Sequence, residues 1–373
     1  MPLLIIISVL YLVLIIVLII GFNKVLTFKE TKREPFHKFS IIIPFRDEMD
    51  NIPFLAQSLE ALHYPTTHFE VLWINDNSTD DSELVLSKYL NKNNNWRMIH
   101  SVRKTTSPKK DAINTAINLA RFSWILTTDA DCEVSKLWLN SYNSFLKDNE
   151  SLKMIAGPVI YRTDDSLLHN FQSLDFLSLI GTTIGSFGIN KPFMCNGANL
   201  CYQKDAFNSV NGFVGNDSIA SGDDVFLLEK MLTYYPNNVN YIKSIDALVV
   251  TKPENSFKEL INQRIRWASK TTATNNWFAK TIGILVFLMN LIVVFTIASL
   301  RDISELYKPL YLIFAFKLLI DLLLLYKVHL FFKLNLNLKF YLISFFIYPV
   351  FVVFIVVSSF FKKYHWKGRI FDK

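Results

Sequence analysis

Apolar and polar positions divide the chain into three zones. Apolar side chains fill positions 3–20 without a single charge. From residue 39 to about residue 250, short apolar runs alternate with polar turns, and three longer apolar runs follow at 281–300, 309–326 and 340–361. About 20 apolar residues in a helix cross a hydrocarbon core of ~30 Å. The pattern therefore predicts four membrane spans attached to one folded middle domain.

The middle zone has the rhythm of alternating strands and helices. Strands are predicted at Phe39–Ile43, Glu70–Ile74 and Trp124–Thr128, with a shorter one near Met98. Helices are predicted after Asp50, from Ser82 and over Asp111–Ala120. Such alternation implies a mostly parallel sheet with right-handed crossovers. The expected fold class is an α/β, Rossmann-like domain plus α-helical transmembrane segments.

These zones give a provisional domain organisation. It comprises an N-terminal transmembrane anchor (1–22), a basic linker (23–38), the α/β domain (39–255), an interfacial amphipathic helix (256–280), three transmembrane helices (281–361) and a basic tail (362–373). The amphipathic segment mixes apolar and basic residues at helical spacing, which suits a helix lying along the bilayer surface. It is expected to hold the α/β domain against the membrane.

Charge adds a location and excludes one class of partner. The formal net charge is +7, but the lysines and arginines are scattered and collect mainly beside apolar runs. Anionic headgroups are their natural partners, and no nucleic-acid recognition motif is present. Basic residues after the first apolar run place that flank in the cytoplasm. The expectation is an integral protein of the inner or plasma membrane with a cytoplasmic α/β domain; a cleaved signal peptide is the alternative for the first run.

The three C-terminal apolar runs and the tail that follows them raise two further questions. Lys317 and Asp321 are spaced i, i+4 and can pair on one face toward the helix bundle, either to hold helices together or to relay protons. Four complete spans would put the tail outside, yet Lys362, Lys363, Lys367, Arg369 and Lys373 favour the inside. Either one apolar run is re-entrant or the charge rule fails.

The candidate functional residues directly follow the predicted strands, at the end of the sheet where ligands of open parallel sheets bind. Asp129 and Asp131 occupy one turn and can reach the same hard cation, leaving positions open for phosphate oxygens. Asp76 follows an earlier strand, where its carboxylate can accept from a uracil N–H or a ribose hydroxyl, or can belong to an Asx-rich helix cap. No GxGxxG or GxxxxGK[ST] motif is present, so the sheet carries neither phosphate-binding fingerprint.

Six ordered segments resemble the family 2 glycosyltransferases, which are inverting enzymes with a glycosyltransferase A-type fold. They are IIIPFRDE (41–48), WINDNS (73–78), SPKKDAIN (107–114), TTDADC (127–132), CNGANLCYQKDAF (195–207) and SGDDVFLLEK (221–230). QRIRW (263–267) is similar to the Gln-x-x-Arg-Trp signature of the membrane-embedded branch, which includes ceramide glucosyltransferases and polysaccharide synthases. The chain departs from the family pattern at Asp47, Asn75 and Pro108, where Asn, an acidic residue and Gly are usual.

The resemblance implies a role for each matching residue. It makes Asp224 the catalytic base and assigns the metal, Mg or Mn, to Asp129 and Asp131. The donor-binding residues that it implies are Pro44, Arg46, Glu48, Asp76, Lys109 and Asp129. The acceptor or pyrophosphate side would be formed by Asn199, Asp223, Gln263, Arg266 and Trp267.

The function implied is inverting transfer of a sugar from a nucleotide sugar, with UDP as the expected nucleotide, to a membrane lipid or lipid-linked acceptor. A processive polysaccharide synthase is the alternative within the enzyme class. A membrane transporter or assembly protein that kept the fold and lost catalysis is the alternative of another class. No member of the set Asp76, Asp131, Asp224 and Arg266 is missing, which favours an active enzyme.

Overall fold

The computed structural model of the chain describes residues 2–31, 33–216, 219, 221–299, 308–361, 364–367 and 369–371. The predicted end of a transmembrane run at Leu300 and the tail lysines Lys362, Lys363 and Lys373 lie outside these residues. Within them, an α/β domain is joined to long apolar helices from both ends of the chain.

A seven-stranded sheet forms the centre of the domain. Its strands are β1 (Phe39–Phe45), β2 (Phe69–Asn75), β3 (Trp96–His100), β4 (Trp124–Thr127), β6 (Met154–Ala156), β8 (Leu200–Gln203) and β9 (Val239–Tyr241), in the order β3-β2-β1-β4-β8-β6-β9. The first four strands are parallel, β8 is antiparallel to both of its neighbours, and β9 is parallel to β6. The predicted α/β fold with a mostly parallel sheet is therefore confirmed.

Helices cover the sheet and a small second sheet flanks it. The helices of the domain are α2 (Ile52–Glu60), α3 (Ser82–Leu90), α4 (Pro108–Leu119), α5 (Trp138–Asp148), α6 (Leu167–Gly188), α7 (Lys204–Ser209) and α8 (Asp223–Tyr234). The second sheet has the order β5 (Glu133–Val134), β10 (Val249–Thr251), β7 (Val159–Tyr161). All seven residues of β2 are buried, as is usual for a parallel strand covered on both faces. Its two polar side chains, Glu70 and Asn75, accept hydrogen bonds from Ser40 and Ser78.

Four helices are long and apolar enough to cross a membrane. Among the described residues they are α1 (Pro2–Lys24), α10 (Trp277–Ala298), α11 (Lys308–Phe332, apolar from Pro309) and α12 (Leu338–Phe361). Their mean hydropathies of 2.0 to 3.6 confirm the four apolar segments expected from the sequence. α9 (Phe257–Ala273) joins the domain to α10 and carries the QRIRW residues.

α6, a helix of the α/β domain, packs directly on α1. Their backbones approach at glycines: a Cβ on Gly21 would lie 2.1 Å from the carbonyl oxygen of Gly185, and one on Gly188 would lie 1.9 Å from that of Gly21. Small residues permit this close approach between helices in a bilayer. The N-terminal helix is thus part of the packing of the domain as well as a membrane segment.

Lys317 and Asp321 on α11 form the ion pair that their spacing suggested, 2.5 Å apart. The hydroxyl of Tyr11 on α1 donates to the same aspartate at 2.8 Å. The ammonium of Lys317 also lies 5.2 Å from the ring centroid of Phe345 on α12. Three helices therefore meet around one buried ion pair, as expected of a pair that holds helices together.

α11 and α12 make aromatic contacts with α1, α6 and α9. α11 ends with Phe331 against Phe22 at the domain end of α1. On α12, Phe351 packs on Phe171 of α6 and on Phe257 of α9.

A short hairpin of β11 (Tyr364–Trp366) and β12 (Arg369–Phe371) follows α12. Lys367 Nζ lies 2.7 Å from Glu48, and Arg369 donates to Asp76 at 2.6 Å. These contacts bring the hairpin against the α/β domain, on the side that the basic residues of the tail favour.

Candidate active site

Twelve of the thirteen predicted site residues line one cavity of about 1120 Å³. They are Pro44, Arg46, Glu48, Asp76, Lys109, Asp129, Asp131, Asp223, Asp224, Gln263, Arg266 and Trp267. They come from strand ends, helix starts and α9, which the parallel topology brings to one edge of the sheet.

One end of the cavity is built around Asp76, just beyond β2. Its carboxylate is 5% exposed and pairs with Arg103 and with Arg369 of the C-terminal hairpin. Arg46 donates to the backbone carbonyls of Asp76 and Asn77 at 2.8 and 2.6 Å, so it fixes the loop that carries the carboxylate. This end offers a buried acceptor among several N–H donors, which suits the polar edge of a nucleoside.

Asp129 and Asp131 follow β4 in the next part of the cavity. Burial, together with the nearby carboxylates of Asp129 and Glu48, raises the pKa of Asp131 to about 6. Mutually repelling carboxylates are stabilised by a divalent cation, and Mg²⁺ commonly takes one or two of them plus substrate phosphates. The described residues hold no cluster of three or more His, Cys, Asp or Glu side chains suited to a metal ion. This pair therefore fits a cation that completes its shell with phosphate oxygens.

Lys109 stands between the two acidic groups of the cavity. Its ammonium lies 2.7 Å from Asp129 and 3.4 Å from Asp223. Burial alone would lower the pKa of Lys109, but these carboxylates outweigh it and raise the pKa, so the side chain stays charged. The neighbouring Lys110 points elsewhere and donates to the carbonyls of Asn216 and Ile219 at 2.6 and 2.8 Å.

Asp223 and Asp224 open α8, and Lys109 bridges Asp223 to Asp129 of the acidic turn. Gly222 before them has a φ of +86°, a left-handed conformation that favours glycine. Asp224 accepts from the N–H groups of Val225 at 2.8 Å and Gly197 at 3.4 Å. A helix N-terminus stabilises negative charge, so this position favours the ionised form in which a carboxylate can act as a general base.

The QRIRW segment supplies a third wall through α9. Gln263 donates to Glu254 at 2.6 Å and accepts from the hydroxyl of Tyr161 at 3.2 Å. The guanidinium of Arg264 lies 4.2 Å from the ring centroid of Trp267, a cation–π contact that holds the indole in place. Arg264 and Trp267 also line the cavity.

Comparison with known proteins identifies the family of the α/β domain. Residues 40–210 match the family model described as Glycosyl transferase family 2. The matched segment runs from β1 through the acidic turn to the end of α7 and carries Asp76, Lys109, Asp129 and Asp131. The α/β domain belongs to glycosyl transferase family 2.

The relatives of this domain are named for different products. It is 23% identical over 248 residues to poly-β-1,6-N-acetyl-D-glucosamine synthase of Staphylococcus epidermidis, covering 66% of this chain and 57% of that protein. It is 30% identical over 96 residues to β-monoglucosyldiacylglycerol synthase of Nostoc, covering 26% and 20% respectively. The chain thus spans about half the length of the first relative and a fifth of the second.

A solved structure supports the fold over nearly the whole chain. A mannosyltransferase from Pyrobaculum calidifontis, in complex with GDP-Man and Mn²⁺, superposes with a TM-score of 0.57 at 14% identity and covers 95% of both chains. The likeness confirms a glycosyltransferase A-type fold.

Asn199 is the predicted site residue that the structure places elsewhere. It is fully buried; its side-chain oxygen accepts from Trp138 at 2.9 Å and Tyr142 at 2.8 Å, and its amide donates to the carbonyls of Pro158 and Ala247. These bonds satisfy both ends of the amide inside the domain. Asn199 therefore supports the fold of the glycosyltransferase domain and does not form the acceptor side.

Sequence reasoning missed four residues near this cavity. Arg103 and Arg369 pair with Asp76, while Asp175 on α6 binds Arg264 at 2.6 Å. Arg264 lies inside the QRIRW motif. The Gln-x-x-Arg-Trp signature, however, assigns a role to Arg266 and none to Arg264. No local pattern marks Asp175, because its partner is 89 residues away.

Proposed function

We propose that this family 2 glycosyltransferase transfers a sugar, with inversion, from a nucleotide sugar to a membrane lipid or lipid-linked acceptor. UDP is the proposed nucleotide, and the domain is proposed to face the cytoplasm. The observation that carries the proposal is the continuity of the cavity. It extends from Asp76 and Asp129 to apolar side chains of α1, α6, α10, α11 and α12.

Two ends with different chemistry suit two different substrates. The domain end holds paired carboxylates and cations, which match a nucleoside diphosphate. The opposite end is lined by residues such as Ile15, Leu174, Ile282 and Phe345, which match an acyl or prenyl chain. An acceptor can therefore remain in the bilayer while its hydroxyl reaches the domain.

The proposed chemistry is a single displacement at the anomeric carbon. The acceptor oxygen forms a bond to that carbon as the bond to the diphosphate oxygen breaks. Asp224 takes the proton of the attacking hydroxyl, and no other protein group bonds to the sugar. Lys109 and Arg266 stabilise the negative charge of the departing diphosphate.

A divalent cation would be held by Asp129 and Asp131 and would supply further charge neutralisation for the diphosphate. Lys109, now 2.7 Å from Asp129, would then turn its charge toward the phosphate oxygens. Asp129, Asp131 and Lys109 thus bind the donor, and Asp224 accepts the proton.

A polysaccharide synthase is the second candidate, because one relative is named as a poly-β-1,6-N-acetyl-D-glucosamine synthase. Both candidates use the same donor site and differ in the product. A polymer would lengthen at each turnover, whereas a lipid acceptor would gain a fixed number of sugars.

The test is to incubate membranes containing the full chain with labelled UDP-glucose, UDP-N-acetylglucosamine, UDP-galactose and GDP-mannose, and to identify products by mass spectrometry. We expect one labelled lipid of defined mass. A series of products that differ by one sugar each would favour the polysaccharide synthase. No transfer from any donor would contradict the proposal that the protein is a glycosyltransferase. Membranes with the Asp224→Asn variant serve as the matched control.

A further inference from the structure

The part of the cavity walled by membrane helices has a charge balance of its own. We call this part the membrane-side chamber and define it by the lining residues of α1, α6, α10, α11 and α12. Most are apolar or aromatic, including Ile15, Leu179, Ile282, Phe345 and Ile355. An acceptor bound here gives up water, so the charges of the chamber limit what it can hold.

Among the described residues that line the chamber, three belong to types that carry a formal charge at neutral pH: Asp175, Lys317 and Asp321. Lys317 and Asp321 pair at 2.5 Å, with the ammonium only 1% exposed. Asp175 pairs at 2.6 Å with Arg264, which comes from α9 and lines the adjoining wall. The two cations and two carboxylates cancel, so the chamber with this partner has no net charge.

A phosphate-bearing acceptor would disturb this balance. It would bring at least one negative charge near Asp175 and Asp321, whose own cations are already paired. Other cations line the donor end of the same cavity, Lys109 and Arg266 among them, but in the proposed chemistry they serve the donor diphosphate. Recruiting Lys317 or Arg264 would leave a carboxylate buried without its partner, which is strongly unfavourable. An uncharged acceptor adds no negative charge and leaves both ion pairs intact.

Arg264 retains one hydrogen-bond donor that suits such an acceptor. Its Nε donates to Asp175, its Nη1 donates to Gln263, and its Nη2 is buried without a hydrogen-bond partner. The side chain is 6% exposed and lines the cavity. A buried donor without a partner is costly unless a ligand supplies an acceptor. A hydroxyl or ester oxygen would satisfy it without adding charge.

We infer that the acceptor is an uncharged, hydroxyl-bearing lipid of the diacylglycerol or glycosyl-diacylglycerol class, with an oxygen bound to Arg264, and not a polyprenyl phosphate. This inference rests on the proposed function and adds the class of acceptor to it. The two ion pairs act as the selective element, because they occupy the cations that a phosphate would need.

The first experiment compares two acceptors for the purified full-length chain in phosphatidylcholine vesicles. One vesicle set contains dioleoylglycerol and the other contains undecaprenyl phosphate at the same mole fraction, with the four labelled nucleotide sugars as donors. We expect transfer to dioleoylglycerol to be at least about tenfold faster, corresponding to ~1.4 kcal/mol. Faster transfer to undecaprenyl phosphate would overturn the inference while leaving the proposed function intact. No transfer to either lipid would count against both.

The second experiment changes the charge balance. Asp175→Asn and Asp321→Asn each leave one cation without its carboxylate, so the rate ratio of undecaprenyl phosphate to dioleoylglycerol should rise several-fold. Asp205→Asn is the control, because this exposed carboxylate on α7 does not line the cavity. The ratio is internal to each variant, so a general loss of folded protein cancels. An unchanged ratio in both variants would contradict the selective role of the pairs.

Discussion

Asp223 and Asp224 are neighbours in sequence but have different partners. Asp223 is tied to the ammonium of Lys109, whereas Asp224 accepts backbone N–H groups at the start of α8. Both carboxylates act on the charge of Lys109. The choice of Asp224 as the proposed base therefore rests on its place at the start of α8, where backbone N–H groups orient it.

We expect Asp224→Asn to retain nucleotide binding and to lose about 100-fold or more in turnover, the usual scale for a positioned general base. Asp223→Asn should lose less in turnover. Nucleotide affinity by calorimetry and turnover by product formation would be measured for both variants. Near-normal turnover in Asp224→Asn would remove the assignment, and lost nucleotide binding would indicate a structural role.

The acidic turn predicts a metal requirement. Asp131→Ala should abolish transfer, and chelation of the wild-type protein should do the same until Mg²⁺ or Mn²⁺ is restored. The measurement is the initial rate with and without excess EDTA. Full activity in EDTA would contradict the prediction, and Asp129→Ala provides a second variant of the same turn.

At this scale the sequence was most informative where a motif residue follows a strand. Asp76, Asp129 and Asp131 lie at the predicted edge because parallel strands end together there. Asn199 was misplaced, since a short motif cannot show that its amide is enclosed by Trp138 and other buried groups.

At the scale of elements, contact between α1 and α6 depends on glycine. Because a Cβ on Gly21 would lie 2.1 Å from a backbone oxygen of Gly185, Gly21→Leu should force the helices apart. We expect a loss of about 1–3 kcal/mol, the range for overpacking, measured as a lower thermal midpoint in detergent. Ile20→Leu, at an exposed neighbouring position, should leave the midpoint unchanged. Equal midpoints for Gly21→Leu and wild type would contradict this packing.

Lys243 fastens the domain to the end of α1. Its ammonium donates to the carbonyls of Phe22 and Val25 and lies 3.8 Å from the Phe22 ring centroid. Burial, with a smaller effect of Lys327, lowers the pKa of Lys243 from 10.5 to about 8. Between these values the unfolded chain binds more protons, so the stabilisation is full above pH 10.5 and falls as the pH drops toward 8.

This linkage gives a pH-dependent prediction. The thermal midpoint of wild type relative to Lys243→Met should rise between pH 8 and pH 10, because only wild type loses the buried charge. Thermal unfolding in detergent at several pH values provides the measurement. A difference that stays constant across this range would show that the pKa of Lys243 is not lowered.

Elements were predictable where one periodicity dominates. The apolar runs of α1, α10 and α12 and the first parallel strands needed no tertiary information. The role of α6 did not emerge, because polar residues such as Gln172 and Asp175 interrupt its apolar run and are satisfied only by distant partners. The antiparallel direction of β8 likewise depends on the long connection between β7 and β8 that contains α6.

For the whole molecule, the side of the C-terminal hairpin is the main topological question. Lys367 and Arg369 contact Glu48 and Asp76, so we expect the tail and the domain on the same side of the membrane. One tag would be inserted in the exposed turn at Asn93–Asn94 and a second appended after Lys373. Both should show the same accessibility in intact and permeabilised cells, and a tail accessible from the opposite side would contradict the arrangement.

The glycine contact between α1 and α6 also bears on how the protein can be handled. Membrane enzymes are often shortened to soluble fragments by removing an N-terminal anchor. Here that truncation would uncover the surface of α6 around Gly185, which lies within the domain between β7 and β8. An uncovered apolar surface of this kind promotes aggregation. Purification should therefore keep residues 2–24 and use detergent or nanodiscs throughout.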